Sequence, residues 1–156
     1  MAISDRPGGL TALAVLNGFF ALASAAGALQ RLIDESRVGD YLAGELIPGR
    51  WIRRRIEALV ESGIEQVDLQ LLGAIGIVAA LALALSVWGL LARKKWAGRW
   101  CSTLGAISLG TVSVLAMIWL PHSMIRGSGI SIVRQLFYPL FMLFLVQVIF
   151  RKDLVR

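Results

Sequence analysis

Charged side chains are missing from long, continuous stretches of this chain, and their absence constrains the fold more than any other feature. Pro7–Gln30 and Leu69–Ala92 are each 24 residues without a charge, Trp100–Ile125 is 26, and Ile130–Phe150 holds Arg134 alone among 21. A helix needs roughly 20 consecutive apolar residues to cross the hydrocarbon layer of a bilayer. Backbone polar groups must be satisfied within the segment there, which leaves helices and closed barrels as the only spanning structures. The runs predict transmembrane helices at about 9–33, 69–92, 100–121 and 130–150. Composition points the same way: 57% of residues are apolar and 17% charged, against about 45–50% and about 25% in an ordinary soluble domain. The expected fold is all-α, an antiparallel four-helix transmembrane bundle making a single integral membrane domain of residues 1–156.

The first run also has the marks of a cleaved signal peptide, with Arg6 ahead of it and Ala23-Ser24-Ala25 inside it. The apolar stretch continues past that point through Leu29, which favours a retained helix.

Residues 34–68 are different. They hold eight acids and five arginines, with a Pro48-Gly49 turn signal. From there Ile52, Ile56, Leu59, Val60, Ile64 and Val67 recur at helical spacing. An amphipathic extramembrane helix between the first and second spans is expected, lying on the membrane surface with Trp51 at headgroup depth. Arg53 and Glu57, four apart, are placed to pair. The remaining tryptophans, Trp88, Trp96, Trp100 and Trp119, fall near the predicted interfaces, as an aromatic belt would.

Short cytoplasmic loops favour Lys and Arg. Arg93-Lys94-Lys95-Trp96-Ala97-Gly98-Arg99 and the tail with Arg151, Lys152 and Arg156 are short and almost purely basic, and they contain all three lysines. The 34–68 segment is mixed in sign. Both termini are therefore expected in the cytoplasm and residues 34–68 outside, in a cytoplasmic (inner) membrane. The net charge of +6 does not point to nucleic acid, because the cations flank apolar stretches and do not interleave with aromatics on a soluble face.

Several chemistries are excluded by inventory. One cysteine, Cys101, gives no disulfide, redox pair or cysteine-based zinc site; it is read as an inert thiol in preference to an acylation site. One histidine, His122, rules out bis-histidine haem ligation and is read as a boundary residue. No acid sits within a span, where proton relays and many ion-coupled carriers need one. No catalytic residue, cofactor or metal is expected. Glu57, Glu61 and Glu65 share a helical face, which reads as solvated and balancing Arg53–Arg55 in preference to an enzyme site.

The remaining polar residues are structural candidates. Arg134, the single charge placed within a span, either snorkels to the headgroups or pairs with Asp34, Glu35 or Asp68 at the same boundary. Asn17, a third of the way into the first helix, reads as a hydrogen-bonding link between helices in preference to a substrate ligand; Gln30, Gln135 and Gln147 are similar amides. Small residues recur every four positions, as Gly76, Ala80 and Ala84 in the second span, Ser102, Ala106 and Gly110 in the third, and Ala21 and Ala25 in the first, a pattern that lets helices approach closely in lipid. The fourth span is built of large residues around Pro139 and is expected to present a wide surface to lipid or a partner.

Arg6-Pro7-Gly8-Gly9-Leu10-Thr11-Ala12-Leu13-Ala14, Trp88-Gly89-Leu90, Lys94-Lys95-Trp96-Ala97 and the tail from Phe150 to Arg156 together resemble a group of small, uncharacterised prokaryotic four-helix integral membrane proteins. That group opens with RPxGxTxLA and has a basic Trp-Ala turn between its second and third helices. The resemblance covers the chain ends and the central turn, not residues 34–68. It implies architecture and location and brings no activity. The expected role is a non-enzymatic membrane scaffold or accessory subunit, with the bilayer and a membrane-protein partner or second copy as its contacts. The alternative is a small transporter or lipid-handling protein, working as a homodimer, with a cavity reaching Asn17 or Arg134.

Overall fold

A computed structural model of the chain describes residues 8–45, 48–94, 96–120 and 129–149, and every regular element among them is helical. The elements are α1 (Gly8–Leu42), α2 (Arg50–Glu61), α3 (Gln66–Leu91), α4 (Ser102–Trp119), entered through a π-helical turn at Trp96–Cys101, and α5 (Gly129–Phe144), which continues into a π-helical stretch at Leu145–Ile149. Three stretches are long and apolar enough to cross a membrane: Gly8–Leu42, Gln66–Leu91 and Trp96–Trp119; α5 contributes the shorter apolar segment Leu136–Ile149.

The buried seam of α3 is Leu69, Leu72, Gly76, Ala79, Leu83, Ser86 and Leu90, spaced alternately three and four. That is the 3.5-residue period of left-handed helix packing. The α1 residues Leu10, Leu13, Asn17, Phe20 and Ser24 follow the same alternation. The two helices run antiparallel: Gly18 faces Val87, Gly76 faces Ala28, Gly73 faces Leu32 and Gly39 faces Gln66. α4 packs on α3 beside α1, with Gly105 against Leu83, and α5 packs mainly on α4. The outward faces stay apolar; Leu22 is 74% exposed, Ile118 69% and Leu81 61%. Helices that are apolar all round but half uncovered suit an apolar solvent.

The seam departs from the expected four-residue stripes. Gly76, Ala80, Ser102 and Ala106 are buried, but Ala84 is exposed and, among the described residues, no neighbouring atom lies within 4 Å of a Cβ built on Gly110. Four residues advance an α-helix by about 400°, so a strict i, i+4 series drifts about 40° per step and leaves the contact after two steps. The real contacts include Gly105, which follows the 3–4 alternation of α4 through Ser102, Leu109 and Val112, and Gly73 and Gly89, which flank the α3 seam beside Leu72 and Leu90.

α1 also runs past the expected boundary near Ile33. Its 35 residues make about 52 Å of helix, against a hydrocarbon layer of about 30 Å. Asp34, Glu35, Arg37 and Asp40 are polar without breaking a helix, and the chain stops only at Gly44, whose φ of 82° suits the left-handed cap that the Gly44 N–H to Tyr41 and Glu45 N–H to Asp40 bonds close. α2 folds back on this extension. Ile56 and Leu59 are fully buried with Val38, Ile64 and Leu69, and Trp119 and Leu120 pack against the same cluster. Val67, expected on this apolar face, is 63% exposed, because α2 ends at Glu61 and the phase of the pattern is lost at the turn.

Candidate functional site

Polar side chains within the apolar layer meet at Asn17, which is fully buried. Its Nδ2 donates to Ser86 Oγ at 2.6 Å and to Ser102 Oγ at 3.3 Å, and its Oδ1 accepts from the Tyr138 hydroxyl. Ser86 passes its own proton to the Leu83 carbonyl at 2.7 Å. One amide thus joins α1 to α3, α4 and α5, with both donor hydrogens used. Tyr138 is held flat against Phe20, ring centroids 3.7 Å apart. Buried polar groups in a dry interior are stable only when satisfied in this way, and both the amide nitrogen and the carbonyl oxygen of Asn17 are engaged by other helices.

A second polar link sits at the other end of the hairpin turn. Arg99 Nε donates to Gln147 Oε1 at 2.6 Å, and Gln147 Nε2 donates to Thr103 Oγ1 at 2.9 Å, tying the start of α4 to the end of α5. The turn itself is tight. A Cβ on Gly89 would overlap the Gly98 nitrogen and the Ala97 carbonyl carbon, so the backbones of α3 and the π-helical turn touch there. Lys94 Nζ lies 4.5 Å from the Trp88 ring centroid, a cation–π contact.

Outside the apolar layer, the Asp34 carboxylate is 2% exposed and accepts from Arg55 Nη2 at 2.7 Å, Arg55 Nε at 3.0 Å and Gln30 Nε2 at 3.0 Å. This two-pronged pair pins α2 to α1. Glu35 accepts from Gln70 at 2.9 Å, and Asp68 Oδ2 accepts the Glu65 backbone N–H at 3.1 Å, closing the start of α3. The three carboxylates considered as partners for Arg134 therefore each have another role. Arg134 itself lies on α5, and its side chain falls outside the described residues, as do those of Gln135 and His122. Arg53 pairs with Glu57 at 2.8 Å. That hydrogen bond, and then the Glu57 charge, push the exposed Arg53 guanidinium still higher, so it stays charged throughout the accessible pH range.

The pinned α2 carries an outward basin of about 650 Å³ bounded by Arg37, Trp51, Arg54 and Arg55. Trp51 is 85% exposed there. Among the described residues no group of three or more His, Cys, Asp or Glu side chains is placed to hold a metal ion. The sequence reading singled out Asn17 and Asp34, but it missed Ser86, Tyr138, Arg55 and Gly89.

Comparison with protein-family models, with curated proteins and with solved structures finds no match to this chain.

Proposed function

We propose that this chain is a cytoplasmic-membrane scaffold or accessory subunit, an antiparallel four-helix transmembrane bundle that works through helix–helix contacts and the outer segment. The fourth crossing is α5 with its continuation, 16 plus 5 residues, or about 31 Å of helix at 1.5 Å per residue. One observation carries the scaffold reading. α2 is anchored by a buried carboxylate and a small core, yet it turns Trp51 and Arg54 outward, and Trp and Arg are enriched among the residues that anchor protein interfaces. The interior points the same way, since Asn17 spends its hydrogen bonds on other helices.

Purification in mild detergent is expected to bring down a stoichiometric membrane-protein partner or a second copy. Trp51→Ala combined with Arg54→Ala, both at exposed positions, is expected to reduce its recovery severalfold. A single monomeric species with no partner under these conditions defeats the reading.

Orientation follows from the lysine-bearing turn and tail. A reporter fused after Arg156 is expected to be active only if it functions in the cytoplasm. Activity from a periplasmic reporter at that position reverses the topology.

A further inference from the structure

A cavity of about 240 Å³ lies between α1 and α4 over α3. α1 and α4 both pack chiefly on α3, and Gly27 and Gly76 place no side chain in the space that is left. Phe20, Ala79, Leu109 and Val112 form its apolar walls, and Ser24 and Arg31 its polar end. Phe19, 55% exposed, stands at its outward edge, so it opens sideways through a face that is otherwise apolar.

Arg31 enters this space from an unexpected direction. Its Nη1 lies 3.9 Å from a Cβ built on Gly27 and 3.6 Å from one built on Gly76, one turn back along α1 and toward the middle of the apolar layer. Snorkelling would carry it the other way. The nearest acid, Asp34, is already engaged by Arg55 and Gln30, and among the described residues no carboxylate forms an ion pair with Arg31. Arg31 is thus left without a counter-charge of its own among the described residues while it leans into the apolar layer, which is costly. One heptad earlier on the same seam, Ser24 is 9% exposed and its Oγ has no hydrogen-bond partner among the described residues. Helical serines ordinarily return a bond to the preceding turn, as Ser113 does to Leu109 across the cavity. A bidentate cation and an unused hydroxyl therefore converge on one apolar-walled space.

We propose that this cavity binds the anionic head group of a membrane phospholipid, with a phosphodiester oxygen pair on Arg31, a further oxygen on Ser24, and the adjoining methylenes along Phe20, Leu109 and Val112. Guanidinium matches a phosphate with two parallel hydrogen bonds. The volume is below the roughly 300–1,000 Å³ of sites that enclose a whole small molecule, which suits a head group whose tails remain in the bilayer. The sideways opening selects a ligand already dissolved there. The proposal rests on the chain crossing the membrane and is independent of the scaffold reading.

Native mass spectrometry of the detergent-purified protein, titrated with phosphatidylglycerol or phosphatidylcholine, reads the site directly. One phosphatidylglycerol per chain is expected to be held in preference to phosphatidylcholine. Arg31→Gln is expected to weaken it about tenfold, the loss of one charge-assisted contact. Ser24→Leu, which fills the cavity without removing a charge, is expected to weaken it at least as much, whereas Arg54→Gln in the surface basin leaves it unchanged. Equal retention of the two lipids, no retained lipid, or equal losses in the Arg31 and Arg54 variants each overturn the site. Alkaline carbonate extraction separates the two premises. A chain released from the membrane defeats the spanning reading and the site together, and a carbonate-resistant chain that holds no phosphatidylglycerol defeats the site alone.

Discussion

Gly89→Ala is expected to be the most damaging single-methyl change in the chain. The added Cβ meets the Gly98 nitrogen and the Ala97 carbonyl carbon, and a backbone cannot swing aside as the end of a side chain can. Overpacking a close contact costs about 1–3 kcal/mol, and a contact with backbone on both sides belongs at the upper end. The adjoining turn can absorb little of the strain: Lys94 N–H bonds back to the Gly89 carbonyl at 2.8 Å, and Arg93 already sits at a φ of 55°, a conformation disfavoured outside glycine. Gly110→Ala is the matched control. It adds the same methyl where no atom of the described residues lies within 4 Å, and helix propensity alone predicts a gain of up to about 1 kcal/mol. Unfolding of both variants in detergent, followed by thermal melting or SDS titration, should move in opposite directions. A Gly89→Ala protein as stable as the parent would show that α3 and the π-helical turn do not touch here.

That pair of glycines also marks where reading the sequence stops. The uncharged runs identify the apolar helices because lipid solubility is a property of consecutive residues, visible without knowing the neighbours. Contact faces are not. Gly76, Ala80 and Ala84 look equivalent by spacing, but a helix turns about 100° per residue, and only the 3–4 alternation through Leu72, Gly76, Ala79 and Leu83 keeps facing α1 and α4. The end of α1 was hidden for a related reason. Charge marks where a helix leaves the apolar layer, not where it stops, and α1 needs Gly44 to stop. The expected span of 9–33 already holds Arg31, but so close to its end that Arg31 reads as a flanking charge and Arg134 as the charge within a span; Arg31 instead leans back over Gly27 and Gly76.

The polar site was half legible. Asn17 stands out because an amide amid 24 uncharged residues must find partners. Its partners do not stand out, since a helical hydroxyl has a ready bond within its own helix. Thr111 bonds to Ile107 and Thr103 to Arg99 in that way. Ser86 does the same toward Leu83 and still accepts from Asn17, so nothing in its type or spacing separates it from serines that only bond locally. Tyr138 is hidden by distance, 121 residues from Asn17 along the chain.

Asn17→Leu is the substitution that weighs this hub. Leucine keeps the branched outline with bulkier methyl ends and removes all three hydrogen bonds. Interhelical hydrogen bonds in membranes average about 0.6 kcal/mol and reach about 1.7, so a loss of about 2 kcal/mol is expected, enough to lower a detergent unfolding midpoint clearly. Tyr138→Phe keeps the stacking on Phe20 and removes one bond, and it should cost about 0.6–1 kcal/mol. The double variant should cost less than the sum, since Tyr138 bonds to an oxygen that Asn17→Leu has already removed. Additive costs would mean that the Tyr138 hydroxyl contributes through some other contact. A more stable Asn17→Leu protein would be more informative still. It would mean that a satisfied buried amide is held at a net cost to the fold, and that its purpose is to fix which helices meet, not how tightly. The bundle would then be judged by whether the leucine variant still assembles with the same partner through α2.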